Sequence, residues 1–510
     1  MTPSPDRAPT DAGAGPDALA RPERAAATEP RDALALPQVA RVLDAATVAS
    51  FLCAETFASS VGRAMGHRWT ISPLYALALA LLVARHAKWP SPSLASRLAT
   101  AAIRAWRDGW TRRIVLVALA TRFLVLGVGY AGAVRGGQLL APANFRLSHN
   151  VFWNLPARYD AGWYLGIARN GYEWWPEYAD RQQNIVFFPG FPAAMRVAGD
   201  LVTLPARLLR DPTLFGNGNT RVVWGGALVA MLAFTLALVR MRDYGTRLGL
   251  DAQAAFRGAA LLACAPFAYF FSAPYSEGLF LLAAVSTFSA WRGRDLPRAA
   301  AWGLLAGFTR SNGWTISAAL AVDALAHWRE GARAVGRRLA VASAPLAAAA
   351  VFSLYIASLT GHPLTWMTAQ AAWGNRLTPF GFATARWGHV HHIGFTTYLT
   401  TDPGDAASVA CVVVVLLLCF VMLYRRWWLE ATFTLAYLVP GLVLDIPSLG
   451  RMTSVLFPAY LALASLLPRS APGSLRSPGG YGRSAWILAG GLLALQLFFA
   501  FRFFGWRPPY

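Results

Sequence analysis

Charge is scarce in this chain. Only 14% of its 510 residues are Asp, Glu, Lys or Arg, against roughly 25% in soluble globular domains. Acids are scarcer than bases: 25 Asp and Glu stand against 46 Lys and Arg, for a formal net charge of +21. Lysine is nearly absent. Lys88 is the single one, and all other basic residues are arginine. Cysteine is rare as well, with Cys53, Cys264, Cys411 and Cys419 scattered through the chain, so neither a disulfide framework nor zinc spacing is visible. Gly-rich phosphate loops are missing; the run 479–482 reads as a flexible linker. These shortages exclude an ordinary soluble enzyme, a disordered protein and a secreted disulfide scaffold. No nucleic-acid motif accompanies the basic charge, which falls between apolar segments instead of along one face.

What is abundant is apolar. Hydrophobic residues make up 56% of the chain and the mean hydropathy is +0.39, which indicates a polytopic membrane protein. Residues 1–40 carry too few large apolar side chains to bury a core and are expected to be a disordered cytoplasmic tail. The first long apolar run starts near Ile71, so no secretory signal is expected. Residues 41–113 read as an N-terminal helical extension, in which 71–84 is short for a span and is left as a buried or interfacial helix or one extra span. Spans are expected at 114–134, 221–241, 256–271, 274–291, 313–327, 339–359, 407–424, 429–446, 450–468 and 485–504. The half-length stretch 299–309 runs into Thr309-Arg310-Ser311-Asn312-Gly313 and reads as a broken helix paired with 313–327. The fold class is therefore all-α, a membrane helix bundle of about 10–12 spans.

Arginines in short loops set the orientation. Arg112 and Arg113, then the groups 242–257, 292–298, 329–338, Arg425 with Arg426, and 469–483 all fall on one side if 114–134 runs outward and 221–241 inward. That parity forces 185–208 to be an interfacial helix and not a span, in keeping with Pro189, Pro192, Pro205, Arg196, Asp200 and Arg207 inside it. Residues 135–220 and 360–406 then become two long extracytoplasmic loops, and the N-terminus is cytoplasmic.

Polar residues that break apolar context gather on the outer side: Asp160, Ser272, Tyr275, Ser276, Glu277, Arg310, Asn312, His362, Gln370, Trp373, Arg376, Asp445 and Arg451. Ionisable groups at membrane depth are costly and mark sites. The segment 158–172 places Tyr159, Trp163 and Ile167 at helical spacing, and Asp160 with Tyr164 likewise. It suits an interfacial helix with one carboxylate aimed inward, or an aromatic-belt helix with Asp160 as a first-turn acid. Arg310 and Arg451 suit an anionic leaving group through their fixed charge and fork of donors, and equally a structural ion pair with Asp445 or Glu277. Glu277 equally suits the N-terminal end of a helix. His362, His389, His391 and His392 lack the spacing of a metal site, and no Asp-x-Asp pair accompanies them. No cofactor is expected to be required, with a divalent ion as the alternative.

The motif Asp160-Ala161-Gly162-Trp163-Tyr164, followed by Ile167-Ala168, Gly171-Tyr172 and Asn184 to Pro189 with Pro192, resembles the PIG-V mannosyltransferases and their bacterial relatives, polytopic glycosyltransferases of the GT-C fold. FSAPYSEGLFLL at 271–282, GLLAGFTRSNG at 303–313, GHPLTWMTAQAAWG at 361–374 and Pro447 to Arg451 with Phe457-Pro458 agree in order. Tyr159 stands where the pattern has Trp, and His362 where it has Asp. The resemblance implies a transmembrane catalytic domain over 114–468, with 469–510 a terminal loop and last span. It implies a transferase that moves a sugar, mannose above others, from a polyprenyl-phosphate carrier to a hydroxyl of a glycan or lipid acceptor, with inversion, on the outer face of the plasma membrane. Asp160 maps to the general base; Glu277 is the other catalytic candidate and is expected in that role if Asp160 is not the base. Arg310, Asn312 and Arg451 are expected at the donor phosphate. Trp163, Tyr164, Tyr275, Gln370, Trp373 and Arg376 are expected around the substrates. The competing expectation is a transporter or flippase of lipid-linked sugars without transferase activity, which would account for the arginines and the broken helix.

Overall fold

The computed structural model describes residues 106–136, 145–211, 213–374, 380–443, 448–468 and 483–507, together with Thr100, Ile103 and Arg104. The expected tail 1–40, the segment 71–84, Arg376 and Asp445 lie outside the described residues. Within them the regular structure is helical throughout, with no strand.

The principal helices are α1 (Gly109–Gly136), α2 (Ala161–Asn170), α3 (Gly190–Leu208), α4 (Gly218–Arg247), α5 (Ala252–Cys264), α6 (Glu277–Arg292), α7 (Leu296–Thr309), α8 (Trp314–Ala326), α9 (Ala332–Ala342), α10 (Ala344–Thr360), α11 (Gly381–Ile393), α12 (Pro403–Tyr424), α13 (Trp428–Val443), α14 (Leu449–Thr453), α15 (Phe457–Leu466) and α16 (Arg483–Phe504). Four of them, α1, α4, α12 and α16 from Ser484 onward, are long and apolar enough to cross a membrane. The span expected at 339–359 is a pair, α9 and α10, bent by 44°. α13 and α15 are apolar but shorter.

Three expected extents are corrected. The stretch 256–271 is not one helix: α5 stops at Cys264, because Pro266 cannot donate to the helical ladder, and a 3₁₀ turn follows at Ala268–Ser272. The stretch 450–468 is α14 and α15, separated at 454–456. The span expected to begin at 274 starts as helix only at Glu277. By contrast, the break at 310–313 is present. Arg310 is extended between α7 and α8, and Gly313 sits so close to Gly307 that a Cβ there would lie 2.7 Å from the Gly307 Cα. α3 is not among the helices apolar enough to span, and it pairs its own Arg196 and Asp200 at 3.4 Å.

Small residues bring helices together where a bilayer offers no hydrophobic drive between them. α1 meets α16 along Gly129, Gly132 and Gly136, where a Cβ would strike Phe504, the Phe501 carbonyl and the Gly505 carbonyl. α3 crosses the first turns of α4 at Gly199, Val222 and Gly225. Residues from α4, α5, α6, α8, α12, α13 and α15 form one continuous apolar core.

The broken end of α5 leaves carbonyls without intrahelical donors, at a depth where water cannot serve them. Arg122 of α1 and Gln496 of α16 satisfy them. Arg122 Nη2 donates to the Ala263 carbonyl at 3.1 Å and to Gln496 Oε1 at 2.9 Å, and its Nη1 donates to the Ala268 carbonyl. Gln496 Nε2 donates to the Ala263 and Ala265 carbonyls at 3.1 and 2.5 Å.

Helix direction gives the bundle two unlike ends. α4 and α6 finish, and α13 starts, at one end, where Arg292 Nη2 lies 2.8 Å from both oxygens of buried Glu430, with the Tyr244 hydroxyl on the same carboxylate. Arg338 with Asp323 at 3.6 Å and Arg425 on the Ser465 carbonyl at 3.1 Å lie at this end too. The start of α6, the end of α7 and the starts of α8 and α14 meet at the other end, with α2 across them.

Candidate active site

The site is assembled around the first turn of α2. Tyr159 adopts φ 46°, a left-handed conformation costly for a residue with a Cβ, and turns the chain into the helix. Tyr275 stitches the turn: its hydroxyl accepts from Asp160 N–H at 3.1 Å and donates to the Arg158 carbonyl at 3.2 Å. The Arg158 side chain reaches to the end of α16, donating from Nε to the Phe504 carbonyl at 2.8 Å, and from Nη1 to the Asn154 and Ala157 carbonyls at 2.7 and 2.9 Å. Burial pushes the Tyr159 phenol up to about 12, so it stays protonated.

The Asp160 carboxylate does not cap α2, although the residue holds the N-cap position. It accepts instead from Arg451 Nη1 at 2.8 Å. Arg451 Nε lies 3.0 Å from Glu277 Oε1, and Arg310 Nη1 lies 2.5 Å from the same oxygen. Four charges thus alternate in a row: Asp160, Arg451, Glu277, Arg310. Such a row holds each arginine in a fixed place, which two isolated long side chains would not do. Arg451 also covers the rings of Phe270 and Tyr275 at 5.2 and 5.3 Å. Arg310 Nη1 and the Tyr164 hydroxyl both donate to Ser276 Oγ, at 3.2 and 3.0 Å. Burial, and then the nearby Glu277 charge, raise the Tyr164 phenol above its ordinary value and keep it a donor.

Two cavities meet at Asp160. The first, of about 300 Å³, is lined by Asp160, Tyr164, Ser276, Arg310, Asn312, Gln370, Trp373, Ser448 and Arg451, with Phe187 and Phe188 on an apolar wall. The second, of about 1040 Å³, is lined by Asp160, Trp163 and Trp373 among others. Of the residues expected from the sequence, Asp160, Tyr164, Arg310, Asn312, Gln370, Trp373 and Arg451 therefore share one wall, and Trp163 faces the second cavity. Tyr275 and Glu277 lie on neither wall: Tyr275 holds the turn, and fully buried Glu277 sits behind the two arginines. His389 pairs with Asp402 at 3.1 Å, which together with Thr401 holds the Asp402 carboxyl below its usual range. Among the described residues no three His, Cys, Asp or Glu side chains come together as a metal site.

Arg158, Arg122 and Gln496 carry structural weight that the sequence pattern does not assign. The signal for Arg122 and Gln496 is their depth within apolar runs, where an unpaired polar group is not tolerated.

Residues 137–329 match one family model, Mannosyltransferase (PIG-V). The PIG-V interval contains Asp160, Glu277, Arg310 and Asn312 and ends before Gln370, Trp373 and Arg451. Curated relatives agree with it. The chain is 34% identical over 161 residues to a GPI alpha-1,6-mannosyltransferase 2 of Rattus norvegicus, covering 31% of this chain and 29% of that one. It is 35% identical over 161 residues to the Cricetulus griseus protein of the same name, covering 31% and 29%. It is 30% identical over 190 residues to the Homo sapiens protein, covering 37% and 34%. The chain thus spans about a third of the length of the relatives it matches. The similarity to PIG-V proteins falls on the part that builds Asp160 and Glu277 into one site, while Arg451 comes to that site by folding.

Proposed function

We propose that this protein is a membrane glycosyltransferase that moves a mannosyl unit from a polyprenyl-phosphate carrier to an acceptor hydroxyl. The observation that carries the reading is the row Asp160, Arg451, Glu277, Arg310 with three of its members on the wall of one cavity, built largely from the segment that matches the PIG-V model. In this reading Arg310 and Arg451, with Asn312 and Ser448, take the donor phosphate. Glu277 positions both arginines and does not touch substrate. Asp160 is the general base.

The chemistry follows from those placements. The acceptor oxygen attacks the anomeric carbon, the bond from that carbon to the phosphate oxygen breaks, and the electron pair leaves with the lipid phosphate. The arginines offset the charge that develops there. The acceptor proton passes to Asp160. Phosphate binding competes with Asp160 for Arg451, so donor binding frees the base. A single displacement inverts the anomeric centre. The arginine-rich end of the bundle is assigned to the cytoplasm and the cavity end to the outer face.

The test is incubation of purified full-length protein with polyprenyl-phosphate mannose, and separately with the glucose and arabinose equivalents. Consumption of the mannose donor with release of lipid phosphate supports the reading. Consumption of another sugar donor alone overturns the choice of mannose, and consumption of none overturns the reading itself. Movement of an intact lipid-linked sugar across proteoliposomes without bond cleavage would make the protein a transporter.

A further inference from the structure

A third cavity, of about 240 Å³, lies at the arginine-rich end of the bundle, where α5 starts and α12 and α15 end. Its wall includes Asp251, Gln253 and Arg257 at the start of α5, Arg425 just beyond α12, and Ser465 and Leu467 at the end of α15. α12 is one of the helices long and apolar enough to cross a membrane, and Arg425 is the first residue past it. The cavity therefore sits at the depth of lipid headgroups.

Other arginines at this end have carboxylates for partners: Arg292 has Glu430 at 2.8 Å, Arg294 has Glu330 at 3.0 Å and Arg338 has Glu330 at 3.3 Å. Arg425 does not. Its contacts are the Ser465 carbonyl at 3.1 Å and the Trp427 ring at 5.8 Å, and among the described residues no carboxylate pairs with it. A carbonyl and a ring orient a guanidinium without neutralising its charge. Arg257 is only 7% exposed, and its Nη1 donates to the Pro468 carbonyl at 2.6 Å. Asp251 is the one acid on the wall, and its Oδ1 caps α5 by accepting from Ala254 N–H at 2.8 Å. Two arginines against one acid give the recess a net positive charge, which low-dielectric walls focus.

The surface beside the recess is apolar. Tyr424 is 90% exposed and Trp428 60%, and Leu466, between wall residues Ser465 and Leu467, is 56% exposed. Aromatic rings at the end of a span belong to the membrane interface. A cationic recess between helix ends, flanked by such a surface, matches the two parts of a phospholipid, its phosphate and its acyl chains. A free phosphate ion would use the arginines alone.

We propose that this cavity binds the phosphate of an anionic membrane phospholipid, with Arg257 and Arg425 on the phosphate oxygens and the acyl chains along the surface at Leu466. The site is separate from the Asp160 cavities and stands independently of the mannosyl-transfer reading. Binding there involves no covalent step.

The test is native mass spectrometry of purified full-length protein in detergent, titrated with phosphatidylglycerol and separately with phosphatidylcholine and glycerol 1-phosphate. The parent should bind phosphatidylglycerol saturably and in preference to phosphatidylcholine. Arg425→Gln should weaken that binding by about tenfold or more, as for a lost charge-assisted hydrogen bond, and Arg257→Gln likewise. Arg425 is half-buried, so its variant keeps the test decisive if the Arg257 variant does not fold. Arg426→Gln removes the same charge from an exposed residue off the cavity wall and should leave phosphatidylglycerol binding at the parental level. Parental binding by Arg425→Gln, or an equal loss in Arg426→Gln, overturns the site and leaves only diffuse surface charge. Equal binding of phosphatidylcholine overturns the preference for an anionic lipid. Displacement of phosphatidylglycerol by equimolar glycerol 1-phosphate makes the ligand a soluble phosphate and overturns the lipid assignment.

Discussion

Arg451 Nη1 lies 2.8 Å from the Asp160 carboxylate across 291 residues of chain. The same guanidinium holds Glu277 through Nε at 3.0 Å. One arginine thus ties the acid of the α2 turn to the acid at the head of α6, and the proposed mechanism turns on releasing the first while keeping the second.

Asp160→Asn keeps the shape of the turn, because Tyr275 binds the Asp160 backbone and not its carboxylate. Transfer should fall about 10²- to 10⁴-fold, the usual cost of losing a general base. Binding of polyprenyl phosphate should be unchanged or tighter, since Arg451 loses a competitor. Turnover of the Asn variant near the parental rate would remove Asp160 from the chemistry.

Arg451→Gln and Arg310→Gln should each weaken polyprenyl phosphate binding by roughly 10- to 100-fold, as for a lost charge-assisted hydrogen bond. Equal donor affinities for parent and both variants would move the phosphate elsewhere.

Glu277→Gln leaves two buried arginines facing each other without their shared anion. Stability should drop by about 3–5 kcal/mol, the cost of breaking a buried ion pair from one side. Thermal unfolding in detergent measures it. A donor affinity that drops together with the stability fits a positioning role; loss of transfer with intact stability and donor affinity would make Glu277 a participant in the reaction.

Arg122→Leu removes a donor to the Ala263 and Ala268 carbonyls and should destabilise the protein by about 1–3 kcal/mol. Gln496→Leu removes the other donor to Ala263 and Arg122's own side-chain partner, so the cost of the double variant should depart from the sum of the singles. Additive losses would show that the two side chains work independently, against the shared contacts at Ala263.

A single cysteine at Phe215, between α3 and α4, should react with a membrane-impermeant thiol reagent added from outside the cell, and one at Arg426 only after permeabilisation. Labelling of position 215 from the cytoplasm alone would make α3 a span and reverse the assignment of the two ends.

The chain's own pattern determined the all-α membrane architecture, because apolar runs of the length of α1, α4, α12 and α16 have no other stable use. It also determined the break at Arg310 to Gly313, since Arg310, Ser311 and Asn312 stand together there between two apolar runs. Asp160, Arg310 and Arg451 stood out as charges in apolar surroundings, a local property. Tertiary structure alone decided what they touch. That Arg451 pairs with both Asp160 and Glu277, that Glu277 lies behind the wall instead of on it, and that α2 parts two cavities all depend on contacts hundreds of residues apart. The ends of α5 and the gap between α14 and α15 escaped the pattern for a related reason. Hydropathy counts apolar residues, but a helix ends where its backbone donors end, and at that depth Arg122 and Gln496 arrive from other helices to serve the Ala263 carbonyl.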